Sequence, residues 1–207
     1  MKTSIIRSIV SSYDSALIRA YSTIRFIILR QYFLDEIDQY LPKQGRVLDM
    51  GCGFGLFSLY FAKAEPGRHC IGVELQEGRV AHARKSAERL GIENVEYYVG
   101  DVRDWDGPTD LDAIYLLDVI HHLPQESVPE FLEKLKGLIK PGGLLILKDV
   151  ADRPLVKMWF TLILDRLMVG MSEPIRYWPP AELIELLRSL VFDVKRHTMN
   201  DILPYPH

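Results

Sequence analysis

Asp49, Gly51, Gly53 and Gly55 stand at alternate positions, a carboxylate followed by three residues without a Cβ. Glycines at this spacing let a backbone turn sharply and approach a ligand closely. Twenty-five residues beyond Asp49, the run Cys70-Ile71-Gly72-Val73 ends on a second acid, Glu74. An open α/β sheet places a carboxylate there against ribose hydroxyls. Asp101 and Asp118 end two further apolar runs, and Asp149 ends a third. His121 and His122 follow Asp118, and imidazole is the side chain that exchanges protons near neutral pH. Either histidine suits a general base, with Asp149 as a weaker candidate. The pair also suits a structural role, one ring packing and the other meeting solvent. Cys52 sits inside the glycine series, where it either fills the loop or acts as a nucleophile.

These groups need elements to carry them. Val47 and Leu48 read as a buried strand ahead of the glycines, and residues 56–63 have helical period, so the loop feeds a helix N-terminus with free N–H groups. Further strands are predicted at 70–74, 94–102 and 111–118. A Pro141-Gly142-Gly143 turn then precedes a fifth strand that ends at Asp149. The runs are short and nearly continuous in apolar residues, the mark of a parallel sheet covered on both faces. Helices are predicted at 53–64, at 76–90 with Gly91 as C-cap, at 125–139 and at 181–190. Strand and helix alternate.

The dinucleotide fingerprint G-x-G-x-x-G would need its last glycine at position 56, which is Leu56. The form acid-x-Gly-x-Gly-x-Gly, followed in order by Glu74, Gly100-Asp101, His121-His122-Leu123-Pro124 and Pro141-Gly142-Gly143, resembles the class I S-adenosylmethionine-dependent methyltransferases over residues 42–198. The resemblance implies a Rossmann-like, doubly wound, mostly parallel α/β sheet with S-adenosylmethionine as cofactor. It assigns cofactor binding to Asp49, Gly51, Cys52, Gly53, Glu74, Leu75, Asp101, Val102 and Asp118. The loop would wrap the methionine part, Asp49 hold its ammonium end, Glu74 the ribose and Asp101 the adenine amine. The family sheet runs 3-2-1-4-5-7-6. Residues 192–198 can serve as strand six, but Pro204 and Pro206 leave no readable seventh strand. A six-stranded sheet is expected, its open edge covered by strand six shifted inward or by a second copy of the chain.

Residues 1–41 read as a helical arm ahead of a methyltransferase domain at 42–207. Up to Leu34 the arm holds five basic residues, Lys2, Arg7, Arg19, Arg25 and Arg30, against the single acid Asp14. It suits either a lid packed on the core or a surface for an anionic membrane or an acidic carrier protein. A helical cap is expected at about 153–178. In it, Met158, Trp159, Phe160 and Met168 would roof an apolar pocket. Tyr177 and Trp178 would line that pocket or form a packed hinge, and Asp149 would border it. A net charge of −3 and a pI near 6.1 give no general attraction to nucleic acid. Two cysteines and no leader favour a cytoplasmic protein, soluble or peripheral at a membrane. No residue cluster has metal-ligand spacing. The expected activity is methyl transfer to oxygen, nitrogen or carbon of a small or lipid-like acceptor. The alternative is a non-catalytic protein that binds S-adenosylmethionine or docks on a membrane or carrier.

Overall fold

The computed structural model describes residues 2–29, 31–149 and 178–197. Three helices come first, α1 (Lys2–Ser12), α2 (Ala16–Ile28) and α3 (Gln31–Tyr40). Strands and helices then alternate: β1 (Gly45–Met50), α4 (Leu56–Ala64), β2 (Arg68–Glu74), α5 (Glu77–Leu90), β3 (Val95–Val99) and β4 (Leu111–Leu117). Short 3-10 turns at Ile120–His122 and Gln125–Ser127 lead into α6 (Val128–Leu138), β5 (Ile139–Lys148) and, later, α7 (Pro180–Ser189). The five strands form one sheet in the order β3-β2-β1-β4-β5. β1 runs parallel to β2, pairing Asp49 with Gly72, and β2 runs parallel to β3, pairing Glu74 with Val99. Parallel pairing sends the carboxyl ends of neighbouring strands to one edge, where Asp49 and Glu74 lie.

The chain divides into two compact units, Met1–Tyr115 with Leu138–Ile146, and Leu116–Gly137 with Leu147–His207. In the first, Leu48, Met50, Leu59, Phe61, Ile71 and Tyr115 are fully buried. Burial of an aliphatic or aromatic side chain contributes about 1.5 to 3 kcal/mol, which accounts for the near-continuous apolar strands. Asp112 on β4 stitches this unit together by accepting the Arg46 backbone N–H at 2.7 Å and pairing with Lys140. Arg68 is wholly buried, yet it donates to Pro42 O at 2.8 Å, Phe61 O at 3.0 Å and Asp38 Oδ1 at 3.0 Å. In the second unit, α7 follows Pro179 and buries Leu187.

Several expectations change. The arm is three helices rather than one, because Ser15 caps α2 by accepting the Ile18 N–H and so ends the continuity after α1. Residues 125–127 are a 3-10 turn, and β5 begins already at Ile139, so Pro141-Gly142-Gly143 lies inside the strand instead of before it. Gly142 takes φ +78°, and a Cβ on Gly143 would sit 3.0 Å from the Asp112 carbonyl, so this glycine pair permits close approach to β4. Residues 192–197 form no strand. Alternating polarity there needs a neighbouring strand to pair with, and the described residues hold five strands in their sheet, not six. The expected cap, with Trp159 and Tyr177, lies outside the described residues except for Trp178.

Candidate functional site

The glycine loop of the first unit is pinned to the end of β2. The N–H groups of Gly51 and Cys52 both reach Val73 O, at 2.8 and 2.9 Å, and Gly55 N–H closes the turn on Cys52 O at 2.9 Å. Gly51, Gly53 and Gly55 have φ of +77°, +56° and +78°, a left-handed backbone that explains why glycine recurs there. Glu74, itself buried, accepts Gly53 N–H on Oε2 at 3.1 Å and Gln76 N–H on Oε1 at 3.0 Å. One carboxylate thus holds the loop and the start of α5.

Asp49 lies beneath the loop and is 2% exposed. Its Oδ2 is buried and has no hydrogen-bond partner among the described residues. Burial pushes its pKa up to about 7; the Tyr115 and Ser58 hydroxyls pull it back in part, and the Glu74 carboxylate adds to the rise. Cys52 points inward. A Cβ on Gly72 would meet its Sγ at 2.8 Å and Tyr97 Cδ1 at 2.5 Å, so the thiol fills space against β2. Burial, then the charges of Asp49 and Glu74, hold the thiol well above its usual range, which suits the loop-filling reading.

Past Glu74, Leu75 stands 60% exposed. Asp101 is held by Arg103, whose backbone N–H lies at 2.9 Å and whose guanidinium reaches both carboxylate oxygens. Hydrogen bonding to Arg103 lowers its pKa. Val102 beside it is buried.

The arm closes one side of this loop. Tyr13 donates to Phe54 O at 2.8 Å, and the Phe54 ring meets Tyr21 edge-on at 5.5 Å, with the Arg79 guanidinium 5.5 Å from its centroid. Arg89 donates to Ser12 O at 2.7 Å, and Asp14 pairs with Lys85 at 2.6 Å. These contacts pack the arm on the loop and on α5. Linear spacing offers no sign of Tyr13 or Tyr21, because their partners lie over thirty residues away.

In the second unit, Asp149 grips His121 twice, through the backbone N–H at 3.1 Å and through ring Nδ1. His121 is fully buried, and the His122 ring lies 4.1 Å from it, tilted by 45°. Asp118 takes φ +62°, donates its N–H to Lys148 O at 2.9 Å and pairs its carboxylate with Lys148 Nζ, both side chains being 7% exposed. Trp178 is buried as well. The structure therefore groups His121, His122 and Asp149, and separately Asp118 with Lys148, a partner that spacing does not reveal. The Nδ1 bond to Asp149 fixes one tautomer and makes Nε2 the basic nitrogen.

A family model described as a methyltransferase domain matches residues 47–143, from the first strand through the glycine pair in β5. Over that segment the chain carries a methyltransferase domain of the class I S-adenosylmethionine-dependent kind. It is 28% identical over 159 residues to a ubiquinone biosynthesis O-methyltransferase of Leptothrix cholodnii, covering 74% of this chain and 66% of that protein. It is 31% identical over 99 residues to a probable (S)-tetrahydroprotoberberine N-methyltransferase 2 of Papaver bracteatum, covering 48% of this chain and 27% of that one. The chain thus spans less than two thirds of either relative. Among solved structures, the YcgJ protein of Bacillus subtilis superposes with a TM-score of 0.63 at 24% identity, covering 78% of this chain and 68% of that one, and shares the fold.

S-adenosylmethionine is the methyl donor of this family, and the loop fits it on two observations. Asp49 Oδ2 is a buried acceptor suited to an ammonium group, and a Cβ built on Gly53 would meet nothing within 4 Å, so the loop opens onto a cradle. Gly53→Ala is accordingly expected to cost the fold only about 1 kcal/mol, the strain of a left-handed alanine, while weakening S-adenosylhomocysteine binding at least tenfold. Paired thermal melts and titration calorimetry check this. Equal binding by the variant would remove the loop from the cofactor site.

Proposed function

We propose that this chain transfers the methyl group of S-adenosylmethionine to an oxygen of a small or lipid-like apolar acceptor. The observation that carries the reading is the buried His121–Asp149 pair, an imidazole held by a carboxylate as a base toward an acceptor O–H would be. The relatives named for ubiquinone and tetrahydroprotoberberine chemistry support a small-molecule acceptor.

When bound, the cofactor supplies an electrophilic methyl on a sulfonium, so placement provides most of the rate. Asp49 would hold the ammonium end. Glu74 spends one lone pair of each oxygen on backbone N–H groups and keeps others for ribose hydroxyls. Leu75, Asp101 and Val102 follow at the adenine side, and Asp118 braces the end of β4 through Lys148. His121 Nε2 would take the proton of an acceptor O–H, and Asp149 would stabilise the resulting imidazolium. His122, whose ring lies beside that of His121, is proposed for acceptor binding, and the same role is proposed for Trp178, Trp159 and Tyr177.

The test is S-adenosylhomocysteine formation with apolar phenols and catechols of graded chain length, beside amine and carboxylic acid acceptors. Turnover on the phenolic set, rising with apolar chain length, is the expected result. Turnover confined to amines would overturn the oxygen assignment. Tight S-adenosylhomocysteine binding with no turnover on any acceptor or on a cell lipid extract would mark a binding protein.

A further inference from the structure

The helix α2 buries Ile18, Ser22, Phe26 and Ile28 on one side. Its other side shows Ala16, Leu17, Ala20, Thr23, Ile24 and Ile27, all exposed and none charged. At 100° per residue these six fall within one stripe about 120° wide. Leu17 is 79% exposed, Ile27 55% and Ile24 45%. A single exposed leucine is ordinary, but three large aliphatic side chains separated only by small residues make a continuous apolar patch. Alongside the patch, a groove of about 370 Å³ runs between α1 and α2, with Ile6, Val10 and Phe26 in its wall and Arg7 and Arg19 on it.

The charges select the occupant. Arg7 is exposed, and no described residue forms an ion pair or hydrogen bond with its guanidinium. Arg19 donates to the carbonyls of Tyr13 and Asp14, each at 2.8 Å, so no carboxylate neutralises it in those bonds. The Asp14 carboxylate is turned to Lys85 and Arg89. The face is therefore apolar in its middle and basic at its flank, the pattern of helices that lie in the interface of an anionic bilayer. A second copy packed symmetrically on the same face would bring arginines of like charge together. No described helix is long and apolar enough to cross a membrane, so the contact would be superficial.

We infer that the outer face of α1 and α2 docks on an anionic lipid bilayer, with Leu17, Ile24 and Ile27 entering the headgroup boundary and Arg7 and Arg19 meeting lipid phosphates. The inference is independent of methyl transfer, because docking is read without cofactor or acceptor.

The experiment is co-sedimentation of the full chain with vesicles of phosphatidylglycerol and phosphatidylcholine, against vesicles of phosphatidylcholine alone. Binding to the anionic vesicles is expected to fall as salt rises. Arg7→Gln should weaken it roughly fivefold, the weight of one unit charge at such a surface. Leu17→Glu and Ile27→Glu should abolish it with unchanged thermal melts, since both side chains already stand in water. Absence of binding to anionic vesicles at low salt would overturn the proposal, and so would equal binding by Leu17→Glu. A dimer seen by light scattering and split by Leu17→Glu, without vesicle binding, would also overturn it by giving the face to self-association.

Discussion

Asp49→Asn is expected to yield a protein that resists urea better than the parent at pH 8 and hardly binds S-adenosylhomocysteine. An aspartate titrates near 3.8 when unfolded, whereas burial carries Asp49 to about 7 in the fold. Between those values the folded chain binds a proton that the unfolded chain has released. Stability contributed by this site therefore falls as pH rises from about 4 to 7, and levels off above. The full difference is on the order of 4 kcal/mol. Asparagine carries no such charge, so the variant's advantage should grow across that window and vanish below pH 4. The same substitution removes the negative charge that faces an ammonium group, at a cost of roughly 1 to 3 kcal/mol in cofactor affinity. For the parent chain, affinity should rise as pH passes 7, because the ionised carboxylate is the form that binds a cation. Urea titrations at pH 5 and pH 8, with calorimetry at both, decide the matter. Identical stability differences at the two pH values would remove Asp49 from its role as a buried, tunable anion.

His121→Ala is expected to lower the turnover number by about 10² to 10⁴, the usual weight of a general base, while S-adenosylhomocysteine affinity stays within twofold of the parent (roughly 0.4 kcal/mol). Asp149→Asn should follow it part of the way, because asparagine can still accept from Nδ1 but cannot stabilise the imidazolium. A positioning role for Asp149 predicts a lower kcat with unchanged KM for the cofactor and an unchanged circular dichroism spectrum. Full turnover in His121→Ala would return the pair to packing and leave placement alone as the source of rate.

Much of the sheet could be read in advance because parallel strands buried on both faces are written as short apolar runs, as at Val47-Leu48 and Leu111–Leu117. Glycines that need positive φ announce themselves by type, hence the loop at 51–55. What could not be read depends on partners. The periodicity of residues 1–41 runs through the break at Tyr13-Asp14-Ser15, because the Ser15 cap is a local hydrogen bond and leaves the apolar spacing intact. Residues 192–195 alternate as a strand does before Arg196 and His197 break the pattern, and alternation specifies a surface and not a neighbour. In the candidate site, the acids at strand ends were visible as residues, but their pairings were not. Asp118 finds Lys148, and His121 finds Asp149, across separations of 30 and 28 residues set by the adjacency of β4 and β5. Tyr13 and Tyr21 reach the loop only because α1 packs on α4 and α5.

The buried guanidinium of Arg68 bears on how this architecture can change over evolutionary time. It takes its only carboxylate among its hydrogen bonds from Asp38 in the arm, and its remaining acceptors from Pro42 and Phe61. A buried cation deprived of its anion costs several kcal/mol. Loss of α3, or its exchange for the leader of a relative without an acid at that place, would strand the charge inside the sheet unless Arg68 changed in the same step. Asp38 in the arm and Arg68 in the sheet are thus energetically linked, so a change at one is expected to require a change at the other.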